Sequence, residues 1–437
     1  MTTSTPDHVT TDPLAPGPGS TPADDAPTCC DPTLTRRRLL EATALAAATG
    51  GTTAVFGDAV LQTAYGAPRP GRPVLVVLSL RGAADGLSMV APYGDPTYLA
   101  CRGWQAIGSD RVWGGDGFFG WNDDLKALQP LWNSKRLAAV HAVGLPIPNR
   151  SHFSAMEQIE DADPTSSVRT GWLNRLIGLR DGGPLAGFNV DEGVTPTSLS
   201  GPAPSMGAAQ VDRVSIAGST SPTDRRMRSL HALWDGEGGA LGLAARRSFT
   251  VVKDFKPVLK ASAKPRNGAK YPNGDLGTAL GTAARVIRGD VGVQVLTVDY
   301  GAWDMHANLG VNGGDMSKHC QTLAQGIAAF FTDLGQDGDR VTLITVTEFG
   351  RRMQLNSQQG LDHGWGSVML LAGAGVNGGR FYSRFPDLDD TLEADLTVTT
   401  DYRTILSEIV EARFGVARNK VFPGFAERAQ TGLLRPA

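Results

Sequence analysis

Five continuous apolar runs, each closed off by turn residues, constrain this chain most: Pro73 to Leu80, Leu137 to Val143, Val291 to Val298, Val341 to Val346 and Ser367 to Leu371. They have strand length and no polar alternation, the signature of strands covered on both faces. Between them lie segments with apolar residues at helical spacing: Leu125 to Leu131, Ser151 through Ile159, Leu276 to Ile287 and Asp315 to Leu334. A last one, Tyr402 to Phe414, carries Ile405, Ile409 and Val410 on one face. Strands alternating with helices imply an α/β fold, a mostly parallel sheet with helices on both faces. The 437 residues, 41% of them apolar, suffice for one such domain over residues 67–437. Within it the pattern loosens from Leu185 to Asp290, around a polar helix from Arg225 to Arg247, and residues 185–290 read as a peripheral insertion or cap.

The chain's start obeys other rules. Residues 1–34, rich in Thr, Pro, Asp and Gly, bury too little to order and read as a disordered leader. Residues 35–66 bring Arg36-Arg37-Arg38-Leu39-Leu40, a weakly apolar Ala/Gly/Thr stretch from Ala42 to Val60 and a small-residue site near Ala64-Tyr65-Gly66. This resembles a twin-arginine export signal; an amphipathic first helix is the alternative, but the stretch lacks a clear polar face. Export through the twin-arginine translocation machinery would leave the protein periplasmic, on the cell surface or extracellular, and would remove Cys29 and Cys30. Cys101 and Cys320 then remain, either as one disulfide or as two inert thiols. A formal net charge of -3 without a basic stripe argues against nucleic acid, and no apolar stretch after the N-terminus is long enough to span a bilayer.

Open α/β sheets bind ligands at the carboxyl ends of their strands. Trp303-Asp304-Met305-His306 and Asp362-His363-Gly364 each read as lying just after a buried parallel strand, and carboxylate beside imidazole there is metal-site chemistry. The bland alternative is a solvated loop Asp and a packed His. The second cluster precedes Ser367 to Leu371, whose Gly-rich exit, Gly373 to Gly379, reads as another loop on the same sheet edge, and Gly364 permits close backbone approach. Glu348 ends the Val341 strand as a third candidate ligand or as a surface partner of Arg351 and Arg352, two side chains able to clamp an anion. Ser151 opens a helix after the second strand, as an ordinary cap or as a nucleophile, and His152 beside it is a base, a ligand or the end of a turn.

At these residues the chain resembles the exported bacterial family catalogued as domain of unknown function 1501, grouped with the alkaline phosphatase and sulfatase superfamily. The matching pieces are Leu80-Arg81-Gly82-Ala83-Ala84-Asp85-Gly86-Leu87, Asn149-Arg150-Ser151-His152-Phe153, Thr170-Gly171-Trp172-Leu173, Gly301-Ala302-Trp303-Asp304-Met305-His306, Thr347-Glu348-Phe349-Gly350-Arg351, Asp362-His363-Gly364 and Thr400-Asp401-Tyr402-Arg403. The resemblance implies an alkaline phosphatase-like core whose related enzymes hold one or two divalent metals and attack phosphate or sulfate esters. It puts Ser151 at the nucleophile's place, Asp304 and His306 at one metal, and His363 at the last metal histidine. Where the enzymes carry a metal Asp after the first strand, Arg81 stands here, with Asp85 four residues on, and Glu348-Phe349 replaces an Asp-His pair. The expectation is therefore one divalent ion at most, zinc, calcium or similar, held by Asp304, His306, His363 and Asp362. Ser151 or a water would attack a small anionic ester while Arg81 and Arg351 neutralise charge. The rival expectation is a non-catalytic exported binding or scaffold protein with a degenerate site.

Overall fold

The computed structural model describes residues 53–56, 59–62, 71–163, 169–180, 183–191, 195–216, 219, 223–426 and 431–435. The leader and most of the export-signal segment lie outside the described residues. Within that segment Thr53–Phe56 and Ala59–Gln62 form an antiparallel hairpin, and Val60 and Leu61 pair with Gly207 and Met206 at one end of the main sheet.

Six strands carry the rest of the argument: β1 (Val74–Leu80), β2 (Leu137–Gly144), β3 (Gly187–Asn189), β4 (Val295–Tyr300), β5 (Val341–Val346) and β6 (Ser367–Gly373). They lie in the order β3-β4-β1-β5-β6-β2. The pairs β3–β4, β4–β1 and β1–β5 are parallel, as expected from the sequence. All seven residues of β1 are buried. Val74, Val76, Leu78 and Leu80 enter one core, and Leu75 and Val77 enter the other, because successive side chains leave opposite faces of a strand.

Helices cover both faces. Leu280 and Ala284 of α2 (Asp275–Arg288) pack in the first core with Leu323, Ile327 and Phe330 of α3 (Asp315–Leu334). Met156 and Ile159 of α1 (His152–Asp161) pack in the second with Ile405, Leu406 and Ile409 of α4 (Tyr402–Phe414). Among the described residues no helix is long and apolar enough to cross a membrane.

Three expectations are corrected. The span 185–290 is not only a cap, since β3 lies within it and extends the sheet, with Gly187 opposite Val295. The polar helix of that span is two helices, Arg225–Trp234 and Gly239–Asp254, split where Gly236, Gly238 and Gly239 withdraw helix propensity. Finally, β6 runs antiparallel to both β5 and β2. The segment joining β5 to β6 contains no helix to make a crossover, so the chain returns against β5. Asp362 and His363 thus precede an antiparallel strand, and it is the start of β6, not its Gly-rich exit, that shares an edge with the ends of β1, β4 and β5. Cys101 and Cys320 are both free thiols, Cys320 buried and Cys101 partly so.

Candidate metal centre

The register brings three strand ends level: Leu80 lies beside Tyr300, and Ser79 beside Val346. The loops leaving them are laced together by backbone. Trp303 N–H donates to Arg81 O at 3.2 Å, Leu361 N–H to Met305 O at 3.0 Å, and Gly364 N–H to Gly350 O at 2.8 Å. Two glycines make this crowding possible. Gly82 has φ +109°, and a Cβ there would meet Asp304 N at 2.7 Å; a Cβ on Gly364 would meet Arg351 C at 2.4 Å.

Arg351 is the keystone. Although charged it is 2% exposed. It donates to Ala83 O at 2.7 Å, to Leu361 O at 2.9 Å, to Gly82 O, and to Asp304 Oδ1 at 2.7 Å. The guanidinium that the sequence offered as a substrate clamp is spent on joining three loops and holding one carboxylate. Partial burial alone would raise the Asp304 pKa, but the Arg351 hydrogen bond and charge, with the neighbouring histidines, hold it below the ordinary carboxylate range.

Around Asp304 three imidazoles gather. His363 Nε2 lies 3.0 Å from His152 Nε2 and 3.0 Å from His306 Nε2. Asp304 Oδ1 is 3.0 Å from His306 Nε2 and 3.4 Å from His363 Nε2, while Oδ2 is 3.6 Å from His152 Nε2. His152, Asp304 and His363 form one group, with one ligand atom from each within 4.8 Å of the others, and His306 Nε2, Asp304 Oδ1 and His363 Nε2 form a second at 3.0, 3.0 and 3.4 Å. The two groups share Asp304 and His363.

The other nitrogen of each ring meets an oxygen. His363 Nδ1 is 2.9 Å from the carbonyl of Arg150, His152 Nδ1 is 3.2 Å from Glu348 Oε1, and His306 Nδ1 is 3.0 Å from Asp362 Oδ1. An oxygen at each Nδ1 suits the tautomer that carries its proton there, and in that tautomer each Nε2 turns a lone pair inward. Burial pushes the His363 pKa down, which favours its neutral form.

The remaining candidates fall outside this cluster, each for a visible reason. Glu348 accepts from Gly82 N at 2.8 Å and Ala83 N at 3.0 Å, so it closes the turn after β1 and steadies His152 rather than reaching the centre. Asp362 turns to His306 Nδ1 and to Asn356, whose hydrogen bonds hold its pKa low. Asp85 is buried in a two-pronged pair with Arg102. Ser151 is exposed and its side chain caps nothing, while Asn149 Oδ1 accepts from its N–H at 3.1 Å. Arg81 is paired with Glu160 at 2.6 Å and Asp299 at 3.0 Å. It still lines a cleft of about 690 Å³ beside the cluster, along with His152, Phe153, Met156, Glu157, Glu160, Thr197, Asp304 and Glu348. His152, the weakest of the sequence's histidine candidates, is central in space; its signal was its place one residue into the helix that follows β2.

Residues 129–430 match the family model described as protein of unknown function (DUF1501). The chain belongs to the DUF1501 family. Among solved structures, the DUF1501 chain is similar to Ps i-CgsB at 11% identity over 81% of this chain and 75% of that chain, TM-score 0.35. It is similar to the zinc complex of the C-terminal periplasmic domain of EcEptC from Escherichia coli at 9% identity, over 71% and 77%, TM-score 0.30. It is also similar to a protein in the alkaline phosphatase superfamily from Vibrio parahaemolyticus at 9% identity, over 80% and 72%, TM-score 0.29. No curated protein matches it.

Proposed function

We propose that this DUF1501 protein is an exported, metal-dependent hydrolase of phosphate or sulfate esters, with one divalent ion held by His152, Asp304 and His363 and His306 at its side. The observation that carries the reading is the facing of Nε2 atoms at 3.0 Å, each with its Nδ1 against an oxygen. Two lone pairs so close repel unless a cation or proton lies between them. Ligands about 2.0–2.1 Å from a tetrahedral zinc ion stand roughly 3.3 Å apart. The two Nε2 atoms stand 3.0 Å apart, with Asp304 Oδ1 3.4 Å from His363 and Oδ2 3.6 Å from His152, separations near that distance with either carboxylate oxygen turned inward.

A bound divalent ion would supply Lewis-acid chemistry and acidify a water near neutral pH. The protein's own residues do the rest. Arg351 keeps Asp304 ionised and fixed. Glu348, Asp362 and the Arg150 carbonyl hold the rings in one orientation, which saves reorganisation during reaction. Arg81, on the cleft wall, faces the ester's anionic group. In hydrolysis the water oxygen bonds to phosphorus or sulfur, the bond to the ester oxygen breaks, and the departing alkoxide takes up a proton.

The test is metal content and turnover of the purified full chain. About one equivalent of divalent metal is expected, with ester hydrolysis lost on chelation and restored by zinc. Metal below about a tenth of an equivalent, with no hydrolysis restored by any divalent ion, overturns the reading. Because Ser151 is exposed and caps nothing, Ser151→Ala should keep kcat within about twofold; a hundredfold loss would make it the nucleophile instead. Glu348→Gln removes the charge behind His152 and should weaken metal affinity about 10- to 100-fold in a chelator competition.

A further inference from the structure

The face of α1 toward the cleft carries Phe153, Met156, Glu157 and Glu160, spaced i, i+3, i+4 and i+7 from His152's neighbour. Three of the four are engaged. Met156 is buried in the core, Glu157 pairs with Arg169 at 3.3 Å, and Glu160 pairs with Arg81. Phe153 is different: one residue from His152, it is 92% exposed. A lone exposed phenyl is ordinary, but this one stands on the wall of a cleft that opens onto the histidine cluster.

We infer that Phe153 is a specificity residue, and that the cleft selects esters whose leaving group is a flat, uncharged apolar body. This rests on the hydrolase reading above. With the ester's anionic group at Arg81 and the histidines, the leaving group extends along the α1 face. Its first neighbour there is the Phe153 ring, and stacking against it removes apolar surface of both partners from water. A second anionic group on that arm would meet Glu157, whose carboxylate stays partly exposed beside Arg169, and like charges disfavour it.

The test uses the zinc-loaded full chain, with phenylphosphonate and methylphosphonate as non-hydrolysable probes for calorimetry and phenyl and methyl phosphate for turnover. Wild type is expected to bind the phenyl compound about tenfold more tightly and to show a matching ratio in KM; kcat is left out of the ratio because phenoxide departs more readily than methoxide whatever the cleft contacts. In Phe153→Ala the phenyl-to-methyl ratio should fall towards one, and Phe153→Trp should restore it. Folding is checked by bound zinc. A ratio near one in wild type, or one unchanged in Phe153→Ala, overturns the inference. Binding that prefers phenyl through Phe153 without hydrolysis of either ester overturns the hydrolase reading and leaves the cleft's selectivity standing.

Discussion

In His363→Ala protein, bound divalent metal is expected to fall below about a tenth of an equivalent, and kcat/KM for ester hydrolysis to fall about a thousandfold or more. His363 is the most telling residue to remove because its Nε2 is 3.0 Å from both other histidines and 3.4 Å from Asp304. Without it, the group of His152, Asp304 and His363 keeps two donors and His306 reaches them through Asp304 alone, so the three protein ligands that catalytic zinc sites use no longer converge. The ring also rests on the Arg150 carbonyl, so its loss frees that loop. His231→Ala is the control. His231 pairs with Asp235 on a helix that contributes nothing to the cluster, and the variant should keep its metal. Metal analysis and single-substrate kinetics on both variants decide the matter: full metal in His363→Ala would remove His363 from the ligand set.

What the sequence disclosed follows from which signals are local. The apolar runs locate β1, β2, β5 and β6 because burial on both faces favours apolar residues at nearly every position. The same runs carry no polarity, so the reversal of β6 stayed hidden until its partners were known. Asp304, His306 and His363 were legible as chemistry at strand ends. His152 was weighed low, because its value comes from converging with residues 152 and 211 positions away, a distance only the fold closes. Arg351 is hidden from the sequence for a different reason. A guanidinium has five donors, and here four backbone carbonyls and Asp304 absorb them, which no spacing rule foretells.

Asp85 extends that lesson to stability. Four residues after Arg81 it reads in sequence as a displaced metal carboxylate, yet Arg102 binds it through Nη1 at 2.6 Å and Nη2 at 2.9 Å, with side chains 0% and 3% exposed. Arg102 also donates to Met353 O at 2.7 Å and to Arg352 O at 3.2 Å, so the pair ties the β1 loop to the segment after β5. Arg102→Met should therefore cost about 3–5 kcal/mol in denaturant unfolding, since it strands a buried carboxylate and two carbonyls. Replacing both partners, Asp85→Leu with Arg102→Met, should recover much of that loss, because no charge is then left buried. Burial alone would raise the Asp85 pKa, but the charge and hydrogen bonds of Arg102, with Ser88, bring it below the ordinary value. A carboxyl depressed on folding stabilises the protein above its unfolded pKa of about 3.9 and loses that contribution as pH falls through the lower folded value. The wild type should thus lose stability on acidification below about pH 4, and a double variant lacking both charges should show a shallower decline. Equal slopes in the two proteins would mean that the pair contributes nothing to acid unfolding.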